Sequence, residues 1–397
     1  MSTLKAAFGK VNVTPDEPAP LQGYDPSEHV ADPATDILDE LYARIALLDD
    51  GLTRQVIVSV DCCLTNETPF QAADPAGRMR RYRHFLNTFP EGTRRSWAEA
   101  AEVPETAVSV HATHTHSAPE HFGAVYTKRI ADAIRELTDL LQPVRLKAGT
   151  GRCSVSVNRR PALQHNDELP IDRSLHVVLA ESEDGRPLGA IVNAAVHPTL
   201  LMNPFSRVSS EFVGLAMSEL EAQGGDGFVA LFLQGFSGDV GPYGHYRTER
   251  DDTYPLVQAT ACALHADIQR VLEQLTPIPA RPLCSRSAKV ALSTREGFFK
   301  PEIDVALHAV RLGGNLMLLA VSGEVFNGYA ERIGRRLPGR QVLFSGLANG
   351  YSGYLPTITA FRDGLGGYEM NTTPFTEEAC DRFVDAAVAL LEETESL

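Results

Sequence analysis

Short apolar runs of strand length alternate along the chain with longer segments in which apolar residues recur every three or four positions. The spacing of Ile130, Ile134 and Leu137 is typical of an amphipathic helix and predicts one over Val125–Leu141. Apolar runs on both sides of Asp184-Gly185 predict a hairpin, because this dipeptide favours a tight turn. The same criteria predict strands over Leu41–Leu48, Gln55–Asp61, Ala107–Thr113, Leu175–Glu181, Leu188–Val196, Gly227–Leu233, Val290–Leu292, Ile303–Leu312 and Asn315–Val321, and helices over Glu211–Gln223, Thr253–Leu275 and Thr376–Glu392.

This interleaving of strands and helices predicts an α/β (mixed α+β) architecture. The chain has 397 residues, of which 43% are hydrophobic, and this is enough for a large core. No Pro/Ser-rich linker, internal repeat or low-complexity tract divides the sequence, so we predict a single domain over residues 1–397. The segment Thr276–Ser287, which contains three prolines, is the best candidate for a junction between two lobes.

The charge balance and the cysteine pattern restrict the classes of partner. The formal net charge of −15 argues against a nucleic-acid partner, because no excess of Lys and Arg exists to displace counterions. The sequence has no apolar stretch behind a basic start and no membrane-spanning run, so neither a secretory leader nor membrane insertion is predicted. The six cysteines have no C-x-x-C spacing, which indicates reduced thiols in a bacterial-type cytosol. We therefore predict a cytoplasmic protein with a small-molecule substrate, and homo-oligomerisation stays open.

A histidine-rich segment at the end of one predicted strand offers ligands for a metal ion. Alternate residues of an extended strand share a face, so His114 and His116 are predicted to project together while His111 faces the other way. Such a polar tip on an apolar strand can hold a catalytic zinc ion and leave a coordination position open for substrate. The alternative is that these histidines are ordinary polar residues at a strand end.

Two further candidate ligands also follow apolar strands. His197 comes after a strand that Pro198 prevents from continuing, and the alternative role is a structural histidine. Glu324 follows the apolar strand that ends at Val321. The alternative there is a carboxylate at the N-terminus of a helix predicted over Val325–Leu337, where the helix dipole favours it. Each group lies at the C-terminal end of a strand, which is the edge where open α/β sheets build their sites.

A segment rich in glycine and tyrosine, 344–357, is a candidate ligand-binding loop. Its glycines let the backbone approach a ligand closely, and Tyr351 and Tyr354 supply hydroxyl groups. The alternative is a surface loop with stacked tyrosines. The glycine-containing segment Gln234–Pro242 lacks both the lysine of a phosphate loop and the G-x-S-x-G spacing of a nucleophile elbow, so a Ser-His-Asp esterase is not supported.

Taken in order, the motifs resemble those of the neutral/alkaline non-lysosomal ceramidase family, in its zinc-containing catalytic domain. The histidine-rich segment, the His-Pro-Thr segment and the tyrosine loop, in this order, make the resemblance specific. The matching pieces are Gly9–Pro15 with Gln22-Gly23-Tyr24, Asp39–Arg44, Thr113–Pro119, Val157–Arg159, Ala195–Thr199, Gly238–Val240, Gly323-Glu324, Asn349–Tyr354 and Tyr368-Glu369.

The resemblance implies a fold, a cofactor and roles for individual residues. The fold would be the N-terminal catalytic domain of the ceramidases, without their C-terminal immunoglobulin-like domain. The cofactor would be Zn²⁺, and His116 would lie beside it or touch the substrate oxyanion. Arg159 and Tyr368 would contact the reacting amide or the carboxylate product. The implied zinc ligands are His114, His197, Glu324 and Tyr354.

The chain departs from the family pattern at the nucleophile. Where the ceramidases carry a serine after Asp-Val, this sequence has Gly241, which has no side-chain oxygen. We therefore predict a zinc-dependent hydrolase that cleaves a C–N (amide) bond with activated water. The predicted proton acceptor is His116 or Asp239, and Arg159 stabilises the oxyanion. Gly241 and Tyr351 are the predicted substrate-binding residues.

Other functions fit the same candidate ligands. A zinc-dependent ester or lactone hydrolase, or a zinc lyase, would use the same metal on another bond. A non-catalytic protein that binds a metal or ligand would keep the site without the serine. The nearby Ser237 is a further candidate for the missing hydroxyl.

Overall fold

The computed structural model describes residues 3–23, 29–72, 83–160, 170–201, 206–243, 253–298 and 300–396. The strands are β1 (Lys5–Asn12), β2 (Ala19–Pro20), β3 (Val30–Ala31), β4 (Tyr42–Asp49), β5 (Arg54–Val60), β6 (Phe70–Ala72), β7 (Arg83–Phe85), β8 (Val108–Ala112), β9 (Gln142–Arg152), β10 (Ser156–Asn158), β11 (Ser174–Ser182), β12 (Pro187–Ala194), β13 (Val229–Gln234), β14 (Val240–Pro242), β15 (Thr276–Ile278), β16 (Cys284–Ser293), β17 (Glu302–Gly313), β18 (Leu316–Val321), β19 (Glu324–Val325), β20 (Gln341–Ser345) and β21 (Tyr354–Leu355). The helices are α1 (Thr93–Ala100), α2 (Ala124–Asp139), α3 (Glu211–Gly224), α4 (Tyr254–Leu272), α5 (Gly328–Gly334), α6 (Ile358–Arg362), α7 (Tyr368–Thr372) and α8 (Ala379–Glu395).

Two mixed sheets form the centre of the described part of the molecule. The large sheet has the strand order β13-β12-β11-β9-β1-β4-β5-β8, with β15 paired to β9, and the small sheet has the order β16-β17-β18-β20. Parallel pairing occurs between β5 and β8, between β12 and β13, and between β18 and β20. Strands such as β13 and β18 are buried along their whole length, which explains their continuous apolar sequences. The predicted mixed α/β class is confirmed.

An apolar core fills the space between the two sheets, and the helices cover their other faces. Ile57 and Leu231 of the large sheet join Leu318 and Leu343 of the small sheet in this shared core. Helices α1 and α2 pack on one part of the large sheet, and α3 and α4 pack on another. Helices α5 and α8 cover the small sheet. The proline-containing segment 276–287 carries the chain from β15 in the large sheet to β16 in the small one.

Helix α3 begins with a strained, buried carboxyl group. Glu211 has a φ of 59°, in the left-handed region that non-glycine residues seldom adopt. Its Oε1 atom accepts a hydrogen bond of 2.6 Å from the backbone N–H of Leu201, four residues after His197. Burial raises the pKa of Glu211 to about 7, with a further contribution from Asp39. This carboxyl therefore ties the start of α3 to the segment that follows a candidate metal ligand.

Glu211→Gln is expected to flatten the pH dependence of stability. Because the folded-state pKa of about 7 lies above the ordinary value of 4.5, the folded state binds more protons between these pH values. Glu211 therefore contributes a loss of stability as the pH rises through this window, at no more than about 1.4 kcal/mol per pH unit. Urea unfolding of both proteins across the window measures the two slopes. Equal slopes would contradict the assignment.

Among the described residues, no helix combines the length and the apolar character needed to cross a membrane.

Candidate metal centre

Three strand ends deliver polar side chains to one buried point. His114 follows β8, His197 follows β12, and Glu324 forms the short strand β19 just after β18. All three side chains are buried, with 2%, 0% and 5% of their surfaces exposed. Their ligand atoms lie within 4.8 Å of one another, so the group could hold a metal ion.

His114 lies in a turn rather than in an extended strand. Strand β8 ends at Ala112, and His114 has a φ of 75°, with its backbone N–H donating to the Cys62 carbonyl at 2.9 Å. The prediction that one strand face presents His114 and His116 is therefore wrong in its geometry. The turn still brings their Nε2 atoms to 3.4 Å. Non-glycine residues held at positive φ are costly, and they concentrate at functional sites.

His111 is separated from this group, as predicted. Its ring contacts the hydroxyl groups of Ser345 and Ser109 at 2.9 Å and 3.1 Å, and burial lowers its pKa to about 3. It is a buried structural histidine, whereas its two neighbours in the motif face the candidate metal centre.

The Nε2 atoms of the two histidines face each other. His114 Nδ1 lies 2.7 Å from the Cys63 carbonyl oxygen, and His197 Nδ1 lies 3.2 Å from that of Ser237. A carbonyl oxygen only accepts, so both Nδ1 atoms carry a hydrogen, and in the tautomer this selects Nε2 is the atom available to a metal ion. The two Nε2 atoms are 2.8 Å apart.

The Glu324 carboxylate completes this acceptor set. It belongs to β19, which pairs in parallel with β21, and the predicted helix begins only at Gly328. The helix N-terminal alternative for Glu324 is therefore wrong. Its Oε2 atom is 3.5 Å from both histidine Nε2 atoms and has no hydrogen-bond partner among the described residues. Its Oε1 atom accepts a hydrogen bond of 2.6 Å from the Tyr351 hydroxyl.

The electrostatics of this group fit a cation. Burial, Arg159 and the neighbouring imidazoles hold the pKa of His197 well below its ordinary value, so a proton on its Nε2 is disfavoured. Burial opposes ionisation of Glu324, yet His114, Arg159 and Tyr351 outweigh it and lower the pKa of the carboxyl. Two facing imidazole nitrogens and a carboxylate with an orphaned oxygen are ligands that a divalent metal ion would satisfy.

A buried arginine lies beside the three ligands. Arg159 Nη2 donates to the Tyr354 hydroxyl oxygen and to the Gly238 carbonyl, both at 3.1 Å, and Nε lies 3.1 Å from Glu369 Oε1. Burial disfavours this charge, but Tyr354 and Glu369 outweigh it, and the pKa of Arg159 lies above its ordinary value. Tyr354 pairs with Glu324 in the β19–β21 register, and burial raises the pKa of its phenol.

His116 occupies a space that only glycine leaves open. A Cβ atom at Gly23, where φ is 104°, would lie 2.4 Å from the His116 ring. Gly23 therefore permits the histidine to approach. Tyr24, which belongs to the same predicted motif, lies outside the described residues.

Known proteins share this architecture. No protein-family model matches the chain. Over 180 residues it is 29% identical to neutral ceramidase B of Dictyostelium discoideum, a match that covers 37% of this chain and 25% of that relative. A structure of neutral ceramidase from Pseudomonas aeruginosa superposes with a TM-score of 0.75 and 21% identity over 99% of this chain and 75% of that chain. The chain has the neutral ceramidase fold. A second structure, a ceramidase complexed with C2, gives a TM-score of 0.78 at 19% identity over 100% of this chain and 76% of that chain.

The resemblance to the neutral ceramidases that the motifs predict is thereby confirmed. The sequence match spans only a quarter of the length of the Dictyostelium protein, while the structural matches extend over essentially the whole of this chain.

Within the neutral ceramidase fold, Gly241 lies in a regular, buried strand. Strand β14 pairs with β10, and Gly241 stands opposite Val157. The preceding glycine is required for packing, because a Cβ atom at Gly238 would lie 2.5 Å from the Glu324 carbonyl oxygen. Ser237 contributes its backbone carbonyl to His197.

The Asp239 carboxyl group is hydrogen-bonded to Asn327 rather than to the candidate metal ligands. Its Oδ1 atom accepts a hydrogen bond of 2.7 Å from the Asn327 backbone N–H, and the residue lines a cavity of about 760 Å³ together with Arg160. Burial raises its pKa to about 6. Among the described residues, no hydrogen bond or ion pair joins the Asp239 carboxyl group to His114 or His197.

The remaining predicted residues lie around Tyr354 and Glu324. Tyr368 is 48% exposed, and its ring meets that of Tyr354 edge-on at 6.0 Å. Tyr351, predicted to bind substrate, supports Glu324 through its hydroxyl group.

Sequence reasoning assigned no role to two residues that hold the site together. Glu369 was part of the tyrosine-glutamate motif without a function, and the structure pairs it with Arg159. Cys63 orients His114, because its carbonyl oxygen accepts the hydrogen bond from His114 Nδ1. Its position after the predicted strand over Gln55–Asp61, at the same sheet edge as His114, was the sequence signal that could have identified it.

Proposed function

We propose that this chain is a zinc-dependent hydrolase that cleaves a C–N bond, an amide, in a small or acylated substrate. The observation that supports it best is the buried set of two facing imidazole nitrogens and one orphaned carboxylate oxygen. The relatives with the same fold are named ceramidases, which hydrolyse an amide, and we carry the bond class over to this chain as part of the proposal.

Zinc is the metal that this ligand set favours. Imidazole and carboxylate together suit Zn²⁺, and catalytic sites commonly use three such protein ligands. We assign His114, His197 and Glu324 as these ligands and Tyr354 as the fourth. When bound there, zinc would lower the pKa of a water molecule toward neutrality and polarise the substrate carbonyl.

The residues around the ligands transfer the proton, stabilise the oxyanion and position one another. His116, next to His114 on the more open side of the site, accepts the proton of the attacking water at a ring nitrogen. Arg159 places its charge beside Tyr354, where it stabilises an oxyanion. Glu369 holds the Arg159 side chain in this orientation. We prefer His116 to Asp239 as the acceptor because the Asp239 carboxyl group is bound to Asn327.

Ser237→Ala is expected to retain activity close to that of the wild type. No hydroxyl group stands at the position of Gly241, and Ser237 serves His197 through its backbone carbonyl, which alanine also supplies. Steady-state rates measure the effect, and pre-steady-state kinetics should show no acyl-enzyme burst. A burst that disappears with this substitution would instead make Ser237 the nucleophile.

Tyr351→Phe is expected to weaken metal binding. The substitution removes the 2.6 Å hydrogen bond that orients the Glu324 carboxylate. Partners that orient a metal ligand are typically worth about 10–100-fold in metal affinity. Competition with a chelator of known affinity measures the change. Tyr329→Phe is the control, because that buried hydroxyl donates to the Pro356 carbonyl and contacts none of the ligands. Equal affinity in the two variants would refute the role.

The bond class is tested with a panel of N-acyl amides and the matching esters and lactones. We expect amide turnover that a chelator abolishes and that added Zn²⁺ restores. Turnover of esters or lactones alone would favour the alternative hydrolase on the same site. Bound zinc without turnover of any substrate would favour a non-catalytic binding protein.

A further inference from the structure

A thiol lies on the opposite side of His114 from the proposed zinc ligands. Cys63 Sγ is 3.7 Å from His114 Nδ1, while His114 Nε2 is 3.4 Å from His116 Nε2. The ligand atoms of these three side chains lie within 4.8 Å of one another. Cys63 is 2% exposed and follows β5, which ends at Val60. Its carbonyl oxygen lies 2.7 Å from His114 Nδ1.

The Cys63 thiol would ionise only on binding a cation. Burial raises the pKa of Cys63 well above its ordinary value, and Glu324, Cys62 and Glu120 raise it further. A metal ion deprotonates a thiol that coordinates it. His116 is only half-buried, and it provides the more open side of the cluster.

We propose that Cys63, His114 and His116 form a second metal site that overlaps the first and binds thiophilic divalent ions. Thiolate and imidazole ligands together favour soft or borderline metals such as Cd²⁺ and excess Zn²⁺. On binding, the Cys63 S–H bond and the His114 Nδ1–H bond are replaced by bonds to the metal, and His114 gives up its hydrogen bond to the Cys63 carbonyl. Two protons leave to solvent without any change of oxidation state.

His114 belongs to both ligand sets, so a metal ion in the second site affects the first site. Two divalent ions served by one imidazole repel each other, and His116 cannot accept a proton while it ligates a metal. Occupation of the second site therefore inhibits any reaction that the first site supports. The existence of the second site does not depend on which reaction that is.

The test uses Cd²⁺ as the probe on a Cys262→Ala background, because Cys262 is exposed and would bind the metal by itself. We expect an ultraviolet thiolate-to-Cd²⁺ charge-transfer band and a Cd²⁺ equivalent that both disappear with Cys63→Ala. Cys62→Ala is the matched control, since this neighbouring buried thiol donates to the Leu64 carbonyl. It should retain the band and the Cd²⁺ equivalent.

A second variant separates this site from the proposed zinc site. His197→Ala removes a ligand of the first set alone, so the charge-transfer band should persist in it. Absence of the band from the parent protein, or its survival in Cys63→Ala, would overturn the proposal. Loss of the band in His197→Ala would show a single site with Cys63 as an accessory ligand, and would also overturn it.

Discussion

His114→Ala is expected to abolish metal binding at the proposed zinc site and to lower hydrolysis by about a thousandfold. Zinc contributes several kcal/mol of transition-state stabilisation, and each 1.36 kcal/mol is about tenfold in rate. His114 contacts the two other ligands, with its Nε2 atom 2.8 Å from His197 Nε2 and 3.5 Å from Glu324 Oε2. Elemental analysis of the purified variant measures the metal, and the rate of amide hydrolysis measures the activity.

The control for this substitution is a histidine three residues away. His111→Ala removes a ring of the same type from β8, the strand that leads to His114, but that ring contacts Ser109 and Ser345. It should lower stability and leave the zinc content unchanged. If His114→Ala retained full zinc occupancy, the assignment of His114 as a ligand would have to be abandoned.

Arg44→Met is expected to lower the free energy of unfolding by about 3–5 kcal/mol. Arg44 is 1% exposed, with Nη1 2.9 Å from Asp61 Oδ2 and Nε 2.8 Å from Glu221 Oε1. Removing the guanidinium leaves the buried Asp61 carboxylate without its arginine partner and leaves Glu221 paired with Lys10 alone. An unpaired buried charge is costly. Chemical denaturation measures the loss.

Lys10→Met provides the comparison, because Lys10 pairs with the same Glu221 but is 38% exposed. An exposed partner of this kind contributes no more than about 1 kcal/mol. Similar losses in the two variants would contradict the argument from burial. Adding Asp61→Asn and Glu221→Gln to Arg44→Met should restore part of the stability, since the buried carboxylate charges are then gone.

Much of the fold was predictable because burial imposes a pattern on the sequence. The helix predicted over Val125–Leu141 is α2, Ala124–Asp139, and the hairpin around Asp184-Gly185 is formed by β11 and β12. Strand β1 was not predicted. Apolar and polar residues alternate only weakly in its sequence, Lys5–Asn12. The strand forms because it pairs with β4 over its whole length and with β9 at its start.

The metal ligands were predictable as residue types at strand ends, whereas their arrangement was not. The left-handed turn at His114 depends on contacts with the end of β5, which are distant in sequence. The Tyr351 hydroxyl could equally have faced a substrate, and only the position of Glu324 across the fold decides its partner. For the same reason the pairing of Glu369 with Arg159 could not be derived from the motif.

The proposed zinc ligands come from both sheets. His114 and His197 extend from the large sheet, whereas Glu324 and Tyr354 belong to the β19–β21 pair that follows the small sheet. An ion bound by all four would join two halves of the chain that the segment 276–287 connects covalently. A ligand that binds only the folded state stabilises it in proportion to the logarithm of its concentration. Bound zinc would therefore act as a cross-link between the two halves as well as a catalyst. The stability of the folded chain would then depend on the concentration of free zinc in the cell.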